Sequence, residues 1–509
     1  MSAYMIKVKI EFTECKEKVE VNRLLNNPGG SLSMLIAPND AINIDKCENS
    51  VLEVVYPSIR NALADHLSEI SEKVAIEKAG GVKRVGANQT PYRVDGEAGR
   101  FNFTTHSVIA NGKIRYNTAS DVFTPLIGKG YHRTVGFKEI ALIYGDTELS
   151  FRKTGELINR IRHQEEGGTP YRTLQENTEK EGSELIDFIE VKTARILVEN
   201  GFADDGTYCG DNTDYAEKQP VTVFESRIVK AAEKCLEGKD MADEVKVEIL
   251  NNPVCYEEPV ETLNVSIDDV NTKRQAETRP EGGSVEKGKR KYIHNTVAVM
   301  SKGDQSYILN GYGTRTVLCY LIAFIFNNNL IGNRIQFHTD GHTILNAMII
   351  KCFAWYANIG IILDWYHLVK KFKEQLSMGM KGRNLRNMIL DRLLPLLWLG
   401  LTDRAIALLC DIDSAEIKNK AIIEKLKEYL RRNKPYIPCY AIRKELGLRN
   451  SSNVGEKAND LIVSARQKHN GMSWSKVGSV ALASVSALKR NNEDKMWFEK
   501  RVIEMKFAA

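Results

Sequence analysis

In the second half of the chain, stretches that alternate apolar and polar residues, the period of a half-buried strand, are interleaved with stretches whose apolar residues return every three or four positions, the period of a helix. Leu263–Val270 (LNVSIDDV) alternates and ends in two carboxylates. Tyr292–Met300 and Gln305–Leu309 read as two more strands, joined at the hairpin turn Lys302-Gly303-Asp304. Thr314–Phe326 is an apolar helix, and Arg334–His338 a strand running into Thr339-Asp340-Gly341-His342. Thr343–Tyr356 is a helix and Ile359–Leu363 a strand ending at Asp364-Trp365-Tyr366-His367. The predicted order is strand, strand, strand, helix, strand, helix, strand.

The first half is patterned differently. Ile6–Ile10 alternates like a strand, and Ile59, Leu63, Leu67, Ile70 and Val74 fall on one face of a helix, a core or dimer seam. Pro91 to about Gly145 reads as small β structure. From Thr147 the pattern is helical: Thr169 before Pro170 makes an N-cap, and Gly182 followed by Ser183 makes a stop and a new cap. Three short helices in series suit a helix-turn-helix module with Arg160, Arg162, Arg172 and Lys180 as phosphate or base contacts, although a generic three-helix bundle has the same pattern. Residues 203–220 read as a loop, and Glu225–Lys246 as one charged helix.

At 509 residues the chain exceeds the roughly 250–300 residues one core supports, and two to four domains are expected. The regions read as 1–85, an N-terminal α/β region; 86–146, β-rich; 147–250, a helical, helix-turn-helix-like DNA-binding region; 255–372, the first part of a catalytic core; 373–445, a helical insertion; and 446–509, the last helices of the core. Hydrophobic residues at 43% and charged residues at 27% exclude a disordered or fibrous chain. Nine cysteines without a Cys-x-x-Cys pair indicate neither a zinc ribbon nor a disulfide framework. The first residues lack an apolar stretch of signal-peptide length, so a cytoplasmic protein is expected. A net charge of +5 is compatible with nucleic acid but does not demand it. Basic clusters at Lys287–Lys291, Lys370/Lys371/Lys373, Arg431/Arg432/Lys434 and Arg443/Lys444 are solvated faces or phosphate contacts.

The strand and helix order is that of an RNase H-like sheet, in which the first and fourth strands are neighbours and Asp268 and Asp340 meet. Hard carboxylate oxygens suit Mg2+ or Mn2+, and two such ions ~4 Å apart can serve a phosphoryl displacement. A third acid is expected from a later helix. Glu456, in the first turn after Ser451, Ser452 and Asn453, is the candidate, with Gly455 letting the backbone approach closely. Strand alternation puts Asp268 and Asp269 on opposite faces, and Asp268 is favoured. Arg466 and Lys468, beyond Glu456, read as phosphate contacts, whereas Met472 and Trp474 read as packing residues.

The turn FHTDGH, the strand ending in Asp-x-x-His (DWYH) followed by LVKK, and the late Ser-Asn-x-x-Glu helix leading to GMSWS together resemble bacterial insertion-sequence transposases of the Asp-Asp-Glu class, Mutator-like group, from Leu263 onward. The resemblance implies a metal-binding triad of Asp268, Asp340 and Glu456, with Asp364 and His367 as an accessory Asp-x-x-His motif. It implies a helical insertion between His367 and Glu456, whose helices Asn384–Leu399 and Ala415–Arg432 would form a DNA-facing lid. The partners implied are transposon-end and target DNA, contacted by Lys370, Lys371, Arg466, Lys468, Arg160 and Arg172, and a second copy of the chain to pair two ends. Ile109–Pro125 has no cysteine where some relatives carry a zinc ribbon. A nuclease that cuts without joining and a domesticated DNA-binding protein are the competing readings.

Overall fold

The computed structural model describes residues 23–26, 32–37, 43–78, 89–110, 114–119, 133–145, 149–210, 222–238, 243–275, 291–468 and 472–507. The expected strand Ile6–Ile10, the insert beyond Gln275 and the basic run Lys287–Lys291, Lys291 excepted, lie outside the described residues, as does the loop from 211. The chain divides into two compact units, Met1–Asn177 and Thr178–Ala509.

In the first unit, β1 (Arg23–Asn26) pairs antiparallel with β2 (Leu32–Leu35). The long helix α1 (Ile44–Lys78) packs on an antiparallel sheet of β3 (Gln89–Gly96), β4 (Gly99–Ala110) and β5 (Ile114–Asn117). Val94, Phe101 and Phe103 form the seam, with Ala64 and Leu67 against them. The inward face of α1 is only part of the predicted stripe: Leu67 packs on the seam and Ile70 and Val74 are half-buried, but Ile59 and Leu63 are each 40% exposed, whereas Arg60, Ser71 and Ala75 are buried. The sheet meets the helix with polar groups. The Ser71 hydroxyl lies 3.2 Å from His106 Nδ1 and 2.6 Å from Thr118 Oγ1, and the Arg60 guanidinium donates to the Ala98 and Arg162 carbonyls. Hydrogen-bond satisfaction, which an apolar period does not report, sets the rotation.

The region read as β-rich contains the helix α2 (Val135–Gly145). The three short helices expected after Thr147 are two: α3 (Phe151–Ile161), capped by the Ser150 side chain, and α4 (Tyr171–Glu199), a single helix of 29 residues. The Thr169 hydroxyl donates to Asp95 instead of capping. The predicted helix-turn-helix, which needed a break at Gly182, does not form as read.

In the second unit, α5 (Glu225–Leu236) and α6 (Asp243–Leu250) replace the single helix expected. A mixed five-stranded sheet follows, built from β6 (Thr262–Lys273), β7 (Tyr292–Lys302), β8 (Gln305–Tyr312), β9 (Arg334–Thr339) and β10 (Ile359–Leu363). Its order is β10-β9-β6-β7-β8, so the first and fourth strands are neighbours, as anticipated. β6, β7 and β8 form an antiparallel meander, and β9 pairs in parallel with both β6 and β10. The first crossover is α7 (Thr314–Asn327), apolar all round and buried from Val317 to Ile325, as such a helix must be. The second is α8 (Thr343–Cys352).

The chain then forms α9 (Trp365–Gly379), α10 (Arg383–Trp398), α11 (Thr402–Cys410), α12 (Lys420–Asn433) and α13 (Tyr440–Glu445). Leu363 at the end of β10 joins Leu368, Phe372, Leu393, Leu397 and Leu430 in one buried cluster, so the insertion is fused to the sheet's end as a packed bundle. Finally α14 (Asn453–Asn459) passes through a π turn, Asp460–Ser464, and α15 (Lys476–Arg490) and α16 (Asp494–Lys500) follow. Ala458, Ile462, Val463, Ala483 and Ala487 cover Val270, Val297 and Val299 on one face of the sheet. Among the described residues, no helix is long and apolar enough to cross a membrane.

Gly182 lies in α4 because of what it touches. A Cβ there would stand 2.4 Å from the Ala481 carbonyl oxygen of α15. Glycine to alanine inside a helix ordinarily stabilises by about 1 kcal/mol, but Gly182→Ala should destabilise by about 1–3 kcal/mol through overpacking. Urea unfolding of the two proteins reads the sign.

Candidate functional site

Strand register carries the acids to one place. β6 and β9 pair from Thr262↔Arg334 to Ser266↔His338, and β9 and β10 from Ile335↔Ile359 to Thr339↔Leu363. Continued two residues, the first register brings Asp340 level with Asp268. Continued one residue, the second brings Asp364 level with Asp340. Unlike the expectation, β6 does not end at its acids; it stays paired with β7 as far as Lys273. Asp268 is bared because β9 leaves its side.

A small cleft of about 310 Å³, counting the solvent at its mouth, opens there, lined by Asp268, Asp340, His367, Ser452, Glu456 and Asn459 among others. Asp268 Oδ2 accepts from Asn459 Nδ2 at 3.0 Å, and Oδ1 from the Asp269 N–H at 2.8 Å. Solvent reaches Asp268, yet enough protein surrounds it that desolvation raises its carboxyl above the ordinary range, with the charge of Asp340 adding to the effect. Asp269 points elsewhere and accepts from the hydroxyls of Thr296 and Thr314.

Asp340 is exposed, and its Oδ1 accepts from the His342 N–H at 2.8 Å. Gly341 has φ of +81°, and a Cβ there would stand 2.8 to 3.1 Å from Leu363, Asn433 and the Tyr429 hydroxyl. Only glycine fits a turn both left-handed and pressed against the insertion. Tyr429 also donates to the Asp340 carbonyl at 3.1 Å.

Asp364 does not line the cleft. It is fully buried at the N-cap of α9, accepting from the His367 N–H at 2.9 Å and from the Ser452 N–H. Burial alone would raise its carboxyl, but the hydrogen bonds from His367 and Ser452 outweigh that and hold it below the usual range. His367 bridges outward: Nδ1 is 3.3 Å from Asp364 Oδ1, and Nε2 is 3.3 Å from Glu456 Oε1. The Asp364 hydrogen bond, with the charges of Asp364, Glu456 and Asp340, pushes its pKa up against desolvation.

Glu456 lies in the first turn of α14, as predicted. Its approach is stitched down. Arg443 makes a fully buried bidentate pair with Glu257 and also donates to the Arg449 carbonyl, the Asn450 carbonyl accepts from the Trp365 N–H, and Ser452 meets Asp364. Gly455 lies against β6, where a Cβ would come within 2.7 Å of Ser266 Cβ.

These donors suit a hard divalent cation in kind, being carboxylate oxygens with a buried amide oxygen of Asn459 that takes no hydrogen bond. Among the described residues, no three His, Cys, Asp or Glu side chains are grouped so as to hold a metal ion in the present arrangement. Glu456 is turned toward His367.

Of the expected phosphate contacts, Lys370, Lys371, Lys468, Arg160 and Arg172 are exposed, with Lys370 over the Tyr366 ring and Lys371 over Tyr429 at 4.3 Å. Arg466, read as a phosphate contact on the surface, is instead 2% exposed and lies over the Trp474 ring. Arg162 is likewise buried, over Phe137. Asn459 and Tyr429 escaped the sequence reading, in which Ser452 is only a capping and turn residue. Asn459 alone left a signal, three residues after Glu456 on the same helical face.

No protein-family model matches this chain, and no curated protein matches it.

His338 lies under the cleft, 1% exposed, with Nε2 at 2.9 Å from Asn264 Oδ1. Desolvation, helped by the charges of Arg443 and Arg449, pushes its pKa down to about 3 from 6.5. The unfolded chain takes up this proton near 6.5 and the folded chain only near 3, so the stabilisation is complete above the upper value and is lost as pH falls through that window. His338→Gln should flatten the acid limb of unfolding free energy against pH by about 1.4 kcal/mol per pH unit, measured by urea titration at stepped pH.

Proposed function

We propose that this chain is a metal-dependent DNA transposase of the Asp-Asp-Glu class, with an RNase H-like catalytic core in its second unit. One observation carries the reading: Asp268 and Asp340 stand level on neighbouring parallel strands, and Glu456 enters the same cleft from a later helix. Ordered acids on a β-β-β-α-β-α-β frame, with an Asp-x-x-His turn and a helical insertion before the last acid, support it further.

Asp268 and Asp340 would hold Mg2+ or Mn2+, and Glu456 would join them on leaving His367. Such ions, bound there, would supply activation of the attacking oxygen and charge stabilisation of the leaving one in a phosphodiester displacement. His367 keeps Glu456 oriented and, when protonated, offsets the like charge of the acids. Asp364 fixes the His367 ring and the Ser452 backbone together, so that the third acid and its partner move as one piece. The exposed Lys370 and Lys371, set against tyrosine rings on the insertion side, would meet phosphates of the DNA backbone. The reaction is cleavage at the ends of the element that encodes the chain, followed by attack of the freed 3′ hydroxyl on target DNA by a dimer or larger assembly.

With DNA carrying the inverted repeats that flank the coding region, Asp340→Asn or Glu456→Gln should lower Mg2+-dependent cleavage by at least about 10²- to 10³-fold while mobility shift shows end binding retained. Cleavage at the wild-type rate in either variant removes the triad. Incubating the wild type with a pre-cut end should give joint molecules, and release of fragments alone would make the chain a nuclease. Replacing Lys370 and Lys371 with alanine should reduce the slope of log affinity against log salt by about 0.9 for each phosphate that is no longer neutralised.

A further inference from the structure

Asn459 stands three residues beyond Glu456, and both side chains line the cleft. Its Nδ2 donates to Asp268 Oδ2 at 3.0 Å. Its Oδ1 is buried and accepts no hydrogen bond, although the residue as a whole is only 8% exposed. Buried amide oxygens normally have a donor, and an orphan beside carboxylates is an acceptor in want of a cation or a donor. A separate observation falls at the same place: directly after Asn459 the helix widens into the π turn Asp460–Ser464. Such turns are frequent at functional sites, where they shift a side chain off the regular helical path.

We infer that Asn459 is a fourth member of the cation-holding set, with Nδ2 fixing the orientation of Asp268 and Oδ1 supplying a neutral ligand to the divalent ion. The inference rests on the reading of Asp268, Asp340 and Glu456 as metal ligands. A carboxamide oxygen is a hard donor that Mg2+ and Mn2+ accept. Being neutral, it adds a ligand without adding to the mutual repulsion of three carboxylates. Its hydrogen bond to Asp268 is the kind of outer interaction whose removal costs about 10- to 100-fold in metal affinity.

The test is Mn2+ binding to the full chain without DNA, followed by isothermal titration calorimetry, with thermal melting in cation-free buffer as the control for folding. Asp340→Asn should abolish binding. Asn459→Ala should weaken it by about 10- to 100-fold while the cation-free melting temperature stays close to that of the wild type; Asn459→Ser replaces it should the alanine variant not fold. Asn459→Asp, which keeps an oxygen and loses the N–H, should recover part of the affinity. Wild-type affinity in Asn459→Ala, with binding still abolished in Asp340→Asn, overturns this inference and leaves the functional reading intact. Affinity in Asn459→Asp no better than in Asn459→Ala overturns the ligand role of Oδ1. Absence of Mn2+ binding in the wild type, or equal binding in Asp340→Asn, removes the functional reading and this inference with it.

Discussion

A carboxylate without solvent contact must be neutralised or have its oxygens filled by donors, and Asp364 obeys that constraint in a way that organises everything near the cleft. Oδ1 takes the backbone N–H of His367 and lies beside the His367 ring; Oδ2 takes the backbone N–H of Ser452. One side chain thereby fastens the end of β10 to the first turn of α9 and to the segment that introduces α14. Those pieces are far apart in the chain. Without the buried charge, nothing as directional would hold Glu456 opposite Asp268.

The parallel register supplies the other half of the arrangement. Backbone pairing is insensitive to side-chain identity, so the level placement of Asp268 and Asp340 follows from where the strands start, which the helix α7 and its turn control. The helix is buried throughout Val317–Ile325 and cannot slide without exposing apolar surface. The crossover that delivers β9 to the side of β6 is therefore a buried hydrophobic element.

Much of this was legible in the sequence because burial and secondary structure reinforce each other in the second unit. β6 alternates because Leu263, Val265 and Ile267 are buried on one face, while the opposite face meets Gly455 at Ser266 and clusters with Ala458 and Ile462 at Val270, and alternation separates Asp268 from Asp269. What stayed hidden depended on tertiary partners. Gly182 reads as a stop, yet α4 continues because the glycine makes room for Ala481. Arg466 reads as a surface cation, yet Trp474, eight residues on, covers it. The inner face of α1 carries Arg60 and Ser71 beside its apolar contacts, since Arg60 meets the Ala98 and Arg162 carbonyls and Ser71 meets His106 and Thr118. The i,i+3 spacing from Glu456 puts Asn459 on the same helical face, but its contact with Asp268 depends on α14 packing against β6.

Gly341 has a wider bearing on the architecture. The turn that bears Asp340 touches Tyr429 and Asn433 of the insertion and Leu363 of the sheet at once, leaving no room for even a methyl group. The helix α12 is thus packed directly against the turn that carries Asp340 into the cleft. Trimming the protein to a bare sheet with its acids would take away Tyr429 and Asn433, the surface against which the Asp340–Gly341 turn is braced.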